Sequence, residues 1–200
     1  MKIKALLMPV LAIALAAAIL FGVSAGLADI RAKNIQAEHI AMMQRLLPGS
    51  MDFVIEPYTG DDDNIVSVHK AENGFVIETV TYGYASEITM FVGVNNAGKV
   101  TGLVVYDAHE TVGLGNNALT DHVFLAQFLN KSGSFEIATA GADAFSGATA
   151  AAEPAEGEAI GVDGITGATV TSKAVVRCVN SAVAYVTGAD TVSAATTWGG

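Results

Sequence analysis

Cysteine is nearly absent: the 200-residue chain has one, Cys178. A single thiol forms no internal disulfide. Without a Cys/His cluster there is neither a structural zinc site nor an iron–sulfur cluster. Redox chemistry here would therefore need an organic cofactor. Basic side chains are also scarce, with 10 Lys and Arg against 20 Asp and Glu, and every acidic one follows residue 28. That balance argues against nucleic acid as a partner, which depends on basic patches that displace counterions. It equally disfavours lying flat on an anionic lipid surface. No Ser/His/Asp triad, paired carboxylates or HExxH motif is present. His39, His69 and His122 are scattered and read as surface or packing residues. Gly60-Asp61-Asp62-Asp63-Asn64 lacks the spaced ligands, glycine and distal glutamate of a calcium loop. It reads as a solvated turn, and no metal is expected.

What the chain has in quantity is apolar sequence at its start. Ala5–Ala28 is 24 residues without a charge. As a helix it would span about 36 Å, against a hydrocarbon layer of ~30 Å. The expectation is a transmembrane anchor over residues 1–28 rather than a cleaved signal peptide. Lys2 and Lys4 and the small-x-small stretch Gly26-Leu27-Ala28 suit the latter, but the run exceeds the ~7–15 residues of a signal core. Lys2 and Lys4 at one end nearly balance Arg31 and Lys33 at the other. The short leading tail then decides the expected topology. It is a single pass in the cell (cytoplasmic) membrane, in contact with lipid, with the globular domain on the extracytoplasmic side.

The rest is expected to be α+β, a mixed or antiparallel sheet with flanking helices. Residues 29–49 read as a stalk helix, with Ile30, Ile35, Ile40, Met43, Leu46 and Leu47 near helical spacing and Pro48-Gly49 as its stop. Residues 50–187 form the domain. Strands are expected at Ile65–His69, Gly74–Tyr82, Ile88–Val94 and Lys99–Tyr106, the last two joined across Asn95-Asn96-Ala97-Gly98. Leu119–Asn130 reads as a helix capped by Thr120 or Asp121, and Phe135–Ile137 as one more short strand. The Ala/Gly/Glu-rich stretch 138–159 reads as a mobile surface insertion. A helix follows over Thr169–Val186, and 188–200 reads as a frayed tail.

Chemistry concentrates in Asp163-Gly164-Ile165-Thr166-Gly167-Ala168-Thr169-Val170-Thr171-Ser172, where hydroxyls and glycines crowd a helix entrance. Two physical readings compete. Thr166, Thr169 or Thr171 can each cap the helix while Gly164 and Gly167 turn the chain. Alternatively, unpaired helix N–H groups and the helix dipole hold a phosphate, with Gly167 admitting close approach.

The stretch resembles the flavinylation motif of the FMN-binding domain family, Asp-x-x-Ser/Thr-Gly-Ala-Thr, at Asp163, Thr166, Gly167, Ala168 and Thr169. The resemblance implies FMN bonded as a phosphoester to Thr169, installed from FAD by a flavin transferase that recognises Asp163 and Thr166. Tyr82-Gly83-Tyr84-Ala85-Ser86-Glu87-Ile88, running into Phe91-Val92-Gly93-Val94, is similar to the family's GYxxxI…VGV region. Glu110-Thr111-Val112-Gly113-Leu114-Gly115 is similar to its ETPGLG loop, with Val112 in place of proline. Ala108 stands where a histidine is common, so His109 is not assigned a catalytic role.

From this resemblance Thr111, Gly113, Leu114 and Gly115 are expected near the flavin ring or phosphate. Tyr84 and Leu114 either pack on the ring or belong to the core. Thr171 and Lys173 join the binding set, with Arg177 a turn beyond. Glu110 reads either as a negative charge near the flavin or as a surface charge. The segment order resembles the G subunits of Rnf ion-translocating complexes and, next to them, the C subunits of sodium-pumping NADH:quinone reductases. That implies a redox subunit relaying electrons among the other membrane subunits of a ferredoxin:NAD oxidoreductase. It would not be an independent enzyme. The other readings are a stand-alone anchored extracellular flavoprotein and a non-redox binding module.

Overall fold

Runs rich in Val, Ile and Thr with polar residues at alternate positions favour strands, because branched side chains fit the pleated, half-covered surface. The computed structural model describes residues 2–138 and 159–189. It divides the chain into two units, Met1–Met42 and Met43–Gly200.

The first unit is helical. It belongs to α1, Lys2–Leu46. The side chains of residues 2–12, 24, 25, 28 and 29 are not among those described. The expected membrane crossing does not stand: among the described residues, no helix is long and apolar enough to cross a membrane. The single-pass topology, the cell-membrane location and the extracytoplasmic domain rested on that crossing and fall with it. Ile30, Ile35 and Ile40 of the expected stalk are exposed.

The second unit is built on a five-stranded antiparallel sheet in sequence order. Its strands are β1 Val54–Glu56, β2 Ile65–Ala71, β3 Gly74–Tyr82, β4 Glu87–Asn95 and β5 Val100–Ala108. Short connections make the antiparallel meander easy to close. At the β4–β5 turn the Asn95 side chain accepts from the N–H groups of Ala97 and Lys99. Gly98 there sits at φ 74°, a conformation that suits glycine.

After the sheet come α2 Gly115–Thr120, α3 His122–Ala126, β6 Phe135–Ile137, β7 Ile160–Val162 and α4 Thr169–Thr187. β6 and β7 pair in parallel. The single helix expected over Leu119–Asn130 is instead two short ones that meet at Asp121, whose carboxylate caps α3. The expected insertion at 138–159 and the tail at 188–200 lie almost wholly outside the described residues.

α4 crosses β3 and β4, and the core lies between them. The buried face of α4 carries Ala174, Val175, Cys178, Val179, Ala182 and Val183. Phe124, Phe128 and Phe135 stack edge to face, with centroids 5.5 and 5.2 Å apart. Each buries a ring that contributes roughly 1.5–3 kcal/mol. Asn180 receives the backbone N–H of Phe135 and donates to its carbonyl, at 2.8 and 2.9 Å. These contacts hold α4 rigidly, and its N-terminus carries the candidate site.

Candidate functional site: the mouth of the last helix

The chain reaches α4 through a tight turn. Ala168 N–H donates to the Ile165 carbonyl at 3.0 Å, and Gly167 sits at φ 80°. Only glycine takes that conformation without strain. Upstream, the Gln127 side chain pairs with the backbone N–H and carbonyl of Asp163, at 2.8 and 3.1 Å. Asp163 and Thr166 are themselves exposed.

Ala168 occupies the N-cap of α4 and provides no side-chain acceptor. The first N–H groups of a helix have no partner within it, and they carry the positive end of its dipole. Four hydroxyls stand close by, and their fates differ. Thr171 is fully buried and donates to Glu110 Oε2 at 2.9 Å. Ser172 is also fully buried, and its Oγ accepts from the Ile165 N–H at 3.1 Å. Thr166 and Thr169 are exposed, and Thr169 is the first residue of the helix. Of the two readings of this stretch, hydroxyl capping does not apply to α4. The entrance has no side-chain cap, and Thr169 is the first residue of the helix, exposed beside it.

Glu110 proves to be the organiser of the surroundings. The surface-charge reading of this residue is corrected: Glu110 is buried. Its Oε1 accepts from the N–H groups of Ala85 and Ser86 at 3.0 and 3.2 Å, while Oε2 takes the Thr171 hydroxyl. Gly83 and Gly115 make room for it, because a Cβ at either position would collide with its carboxylate. One side chain thus joins the segment after β3, the 110–115 loop and the first turn of α4. Nothing in the local sequence signals this, since the partners lie 24 to 61 residues away.

Within the loop, Leu114 and Asn116 donate backbone N–H groups to the Thr111 carbonyl, and Gly113 turns the chain at φ 82°. Leu114 Cδ2 would lie 3.3 Å from a Cβ at Gly167, so the loop and the turn are neighbours. Core packing does not account for Tyr84 and Leu114, which are 73% and 49% exposed. Together with Val112 and Val170 they leave apolar surface beside the helix mouth. Lys173 is exposed one turn along. Arg177 is committed elsewhere: it donates to Thr81 Oγ1 at 3.2 Å and to the Tyr82 carbonyl at 2.8 Å. This ties the end of β3 to α4.

The titration pattern matches this division. Burial pushes the Cys178 thiol up to about 11, against the lowering effects of its hydrogen bond to Thr79 and of the Arg177 charge. The thiol is inert at neutral pH and takes no part in the site. The exposed Tyr82 hydroxyl is raised by its hydrogen bond to Glu87. Among the described residues, no group of three or more His, Cys, Asp or Glu could hold a metal ion.

The model of the FMN-binding domain family matches residues 83–184. This span contains the 83–86 segment, the 110–115 loop and the mouth of α4. The G subunit of the Na+-translocating ferredoxin:NAD+ oxidoreductase complex of Acetobacterium woodii is 29% identical over 168 residues, 75% of this chain and 74% of that protein. The G subunit of an ion-translocating oxidoreductase complex of Methanosarcina acetivorans is 32% identical over 167 residues, 77% of this chain and 78% of its own. The match to the G subunit of the proton-translocating ferredoxin:NAD+ oxidoreductase complex of Clostridium ljungdahlii is 34% identical over 113 residues, and the chain spans about half of that relative, 53%. Among solved structures, NqrC of Shewanella oneidensis matches with a TM-score of 0.44 and 22% identity, over 68% of this chain and 64% of its own. The chain belongs to the FMN-binding domain family, as a homologue of the G subunits of ion-translocating oxidoreductase complexes.

Proposed function

We propose that this chain is the FMN-carrying electron-transfer subunit of an Rnf-type ion-translocating ferredoxin:NAD+ oxidoreductase complex. In this reading FMN is joined through its phosphate to Thr169 Oγ. One observation carries the attachment point: Thr169 is an exposed hydroxyl on the first turn of a helix whose N-cap, Ala168, has no side-chain acceptor. A phosphate at that position would meet the free N–H groups and the positive end of the dipole. Gly167 keeps the approach clear of a side chain. FMN, when bound, supplies the electron relay. The chain's own residues position it.

Attachment needs a second protein, a flavin transferase that uses FAD and magnesium. Thr169 Oγ forms a bond to the FMN phosphorus, the pyrophosphate P–O bond of FAD breaks, and AMP leaves as the hydroxyl proton is lost. Asp163 and Thr166 are exposed beside the acceptor and are the residues we assign to transferase recognition. The ring then lies toward Tyr84, Leu114 and the glycines of the 111–115 loop, with Lys173 on the adjoining turn. A largely exposed ring suits passage of electrons between subunits rather than enclosure of a substrate. The chain acts as a redox subunit, and the ferredoxin and NAD sites belong to its partners.

Co-expression with a flavin transferase, followed by denaturing electrophoresis, tests the attachment. A fluorescent band is expected from the native chain and none from Thr169→Ala. Peptide mass spectrometry that finds Thr169 unmodified beside an active transferase would sink the proposal. Purification with other subunits of the complex supports the assembly, and a lone flavoprotein contradicts it.

A further inference from the structure

We infer that Glu110 is the positioning residue of this site, holding the 83–86 segment, the 110–115 loop and the mouth of α4 in one arrangement. The inference rests on the reading of Thr169 as the attachment point. A buried carboxylate is retained at a cost unless its oxygens are satisfied. Here Ala85 N–H, Ser86 N–H and the Thr171 hydroxyl satisfy it. Three hydrogen bonds from two distant segments converge on this one side chain, so the tie is stiff.

Its geometry bears directly on Thr169. Thr171 lies two residues further along α4 and is fixed from below by Glu110. That fixes the rotation of the first turn and leaves Thr169 on the exposed side. The same carboxylate positions Tyr84 through its neighbour Ala85, and Leu114 through Gly115, where only glycine fits against Glu110. Thr171 Oγ1 would also lie 2.7 Å from a Cβ at Gly115, so the three parts are packed as well as bonded. The surfaces expected to meet the ring and the residue expected to bear the phosphate share one fastening.

The experiment uses the full chain, before and after flavin loading. Hydrogen exchange of the unloaded chain is followed by mass spectrometry for Glu110→Ala, Glu110→Gln and Thr171→Val. Glu110→Ala is expected to speed exchange about tenfold in peptides covering 83–86, 110–115 and 169–172 together, with β3, β4 and the body of α4 unchanged. Glu110→Gln keeps an acceptor for Ala85 and Ser86 and should restore most of the protection. Thr171→Val should loosen the mouth of α4 alone. Should Glu110→Ala fail to fold, the other two variants decide. In the loaded chain, flavin incorporation per folded molecule should fall about tenfold for Glu110→Ala and recover in Glu110→Gln. The flavin's reduction potential should move with it.

Exchange in Glu110→Ala that is unchanged in all three segments or raised uniformly across the domain, or exchange in Thr171→Val that is unchanged at 169–172, overturns the inference. Failure of the parent reading looks different. The native chain would then take up no flavin while the exchange pattern still holds.

Discussion

Two helices of this domain begin in opposite ways. α3, five residues long, opens on Asp121, whose carboxylate accepts from the N–H groups of Val123 and Phe124 at 2.8 and 2.9 Å. α4 is 19 residues long and opens on Ala168, with no side-chain cap. The short helix carries its own carboxylate at the cap; the long one has no side-chain acceptor there. The longer helix has the stronger dipole end and the better-anchored body, so it can carry an open mouth without fraying. The filled cap thus belongs to the short helix, and the open one to the helix that carries the proposed attachment point.

The largest expected effect tests that contrast outright. Thr169→Ala should abolish covalent flavin, whereas Asp121→Ala should leave incorporation per folded molecule unchanged, both read by in-gel fluorescence. Equal loss in both would erase the distinction between the two helix starts.

A second test addresses the closed body of α4. The Cys178 thiol titrates at about 11 in the fold, above its ordinary 9.0. The neutral thiol is thus favoured in the folded state. Its contribution is fully present below pH 9 and is lost as pH climbs from 9 through 11, by roughly 2–3 kcal/mol. Urea unfolding across that range should show the slope, and Cys178→Ala should flatten it. A thiol that reacts with a disulfide reagent in the folded chain at neutral pH would contradict the sealed core.

Gly167→Ala sharpens the comparison at the mouth itself. It places a side chain at φ 80° and 3.3 Å from Leu114 Cδ2. A loss of about 1–2 kcal/mol in thermal or urea unfolding is expected, together with slower flavin loading. The smallest effect belongs to the filled cap: Asp121→Ala should cost about 1 kcal/mol of stability. A much larger cost would mean that Asp121 does more than cap.

Much of the fold was legible before the structure. Gly74–Tyr82 matches β3 end for end, and α4 runs one residue past the expected stop at Val186. Both are long, periodic segments, where local pattern and tertiary packing agree. The misreadings came where the period was weak. A helical pattern spanning Leu119–Asn130 concealed the break at Asp121, because the same apolar spacing suits one helix or two. β1 and β7, three residues each, were not foreseen, since a strand that short owes its existence to its partner. Apolar length at the start suggested a membrane crossing that the described helix does not support.

For the site, residues close together along the chain were legible and residues close only in space were not. The turn and the hydroxyl cluster at 163–172 stood out in the sequence, as did the glycines of the 111–115 loop. By itself the sequence determined the periodic elements and the turn chemistry, because each depends on local spacing. Only the tertiary structure decided that Glu110 is buried and that Thr171 and Ser172 are already engaged, which leaves Thr166 and Thr169 as the exposed hydroxyls. The physical reason is that a polar group's role is set by what satisfies it, and folding delivers those partners from distant parts of the chain.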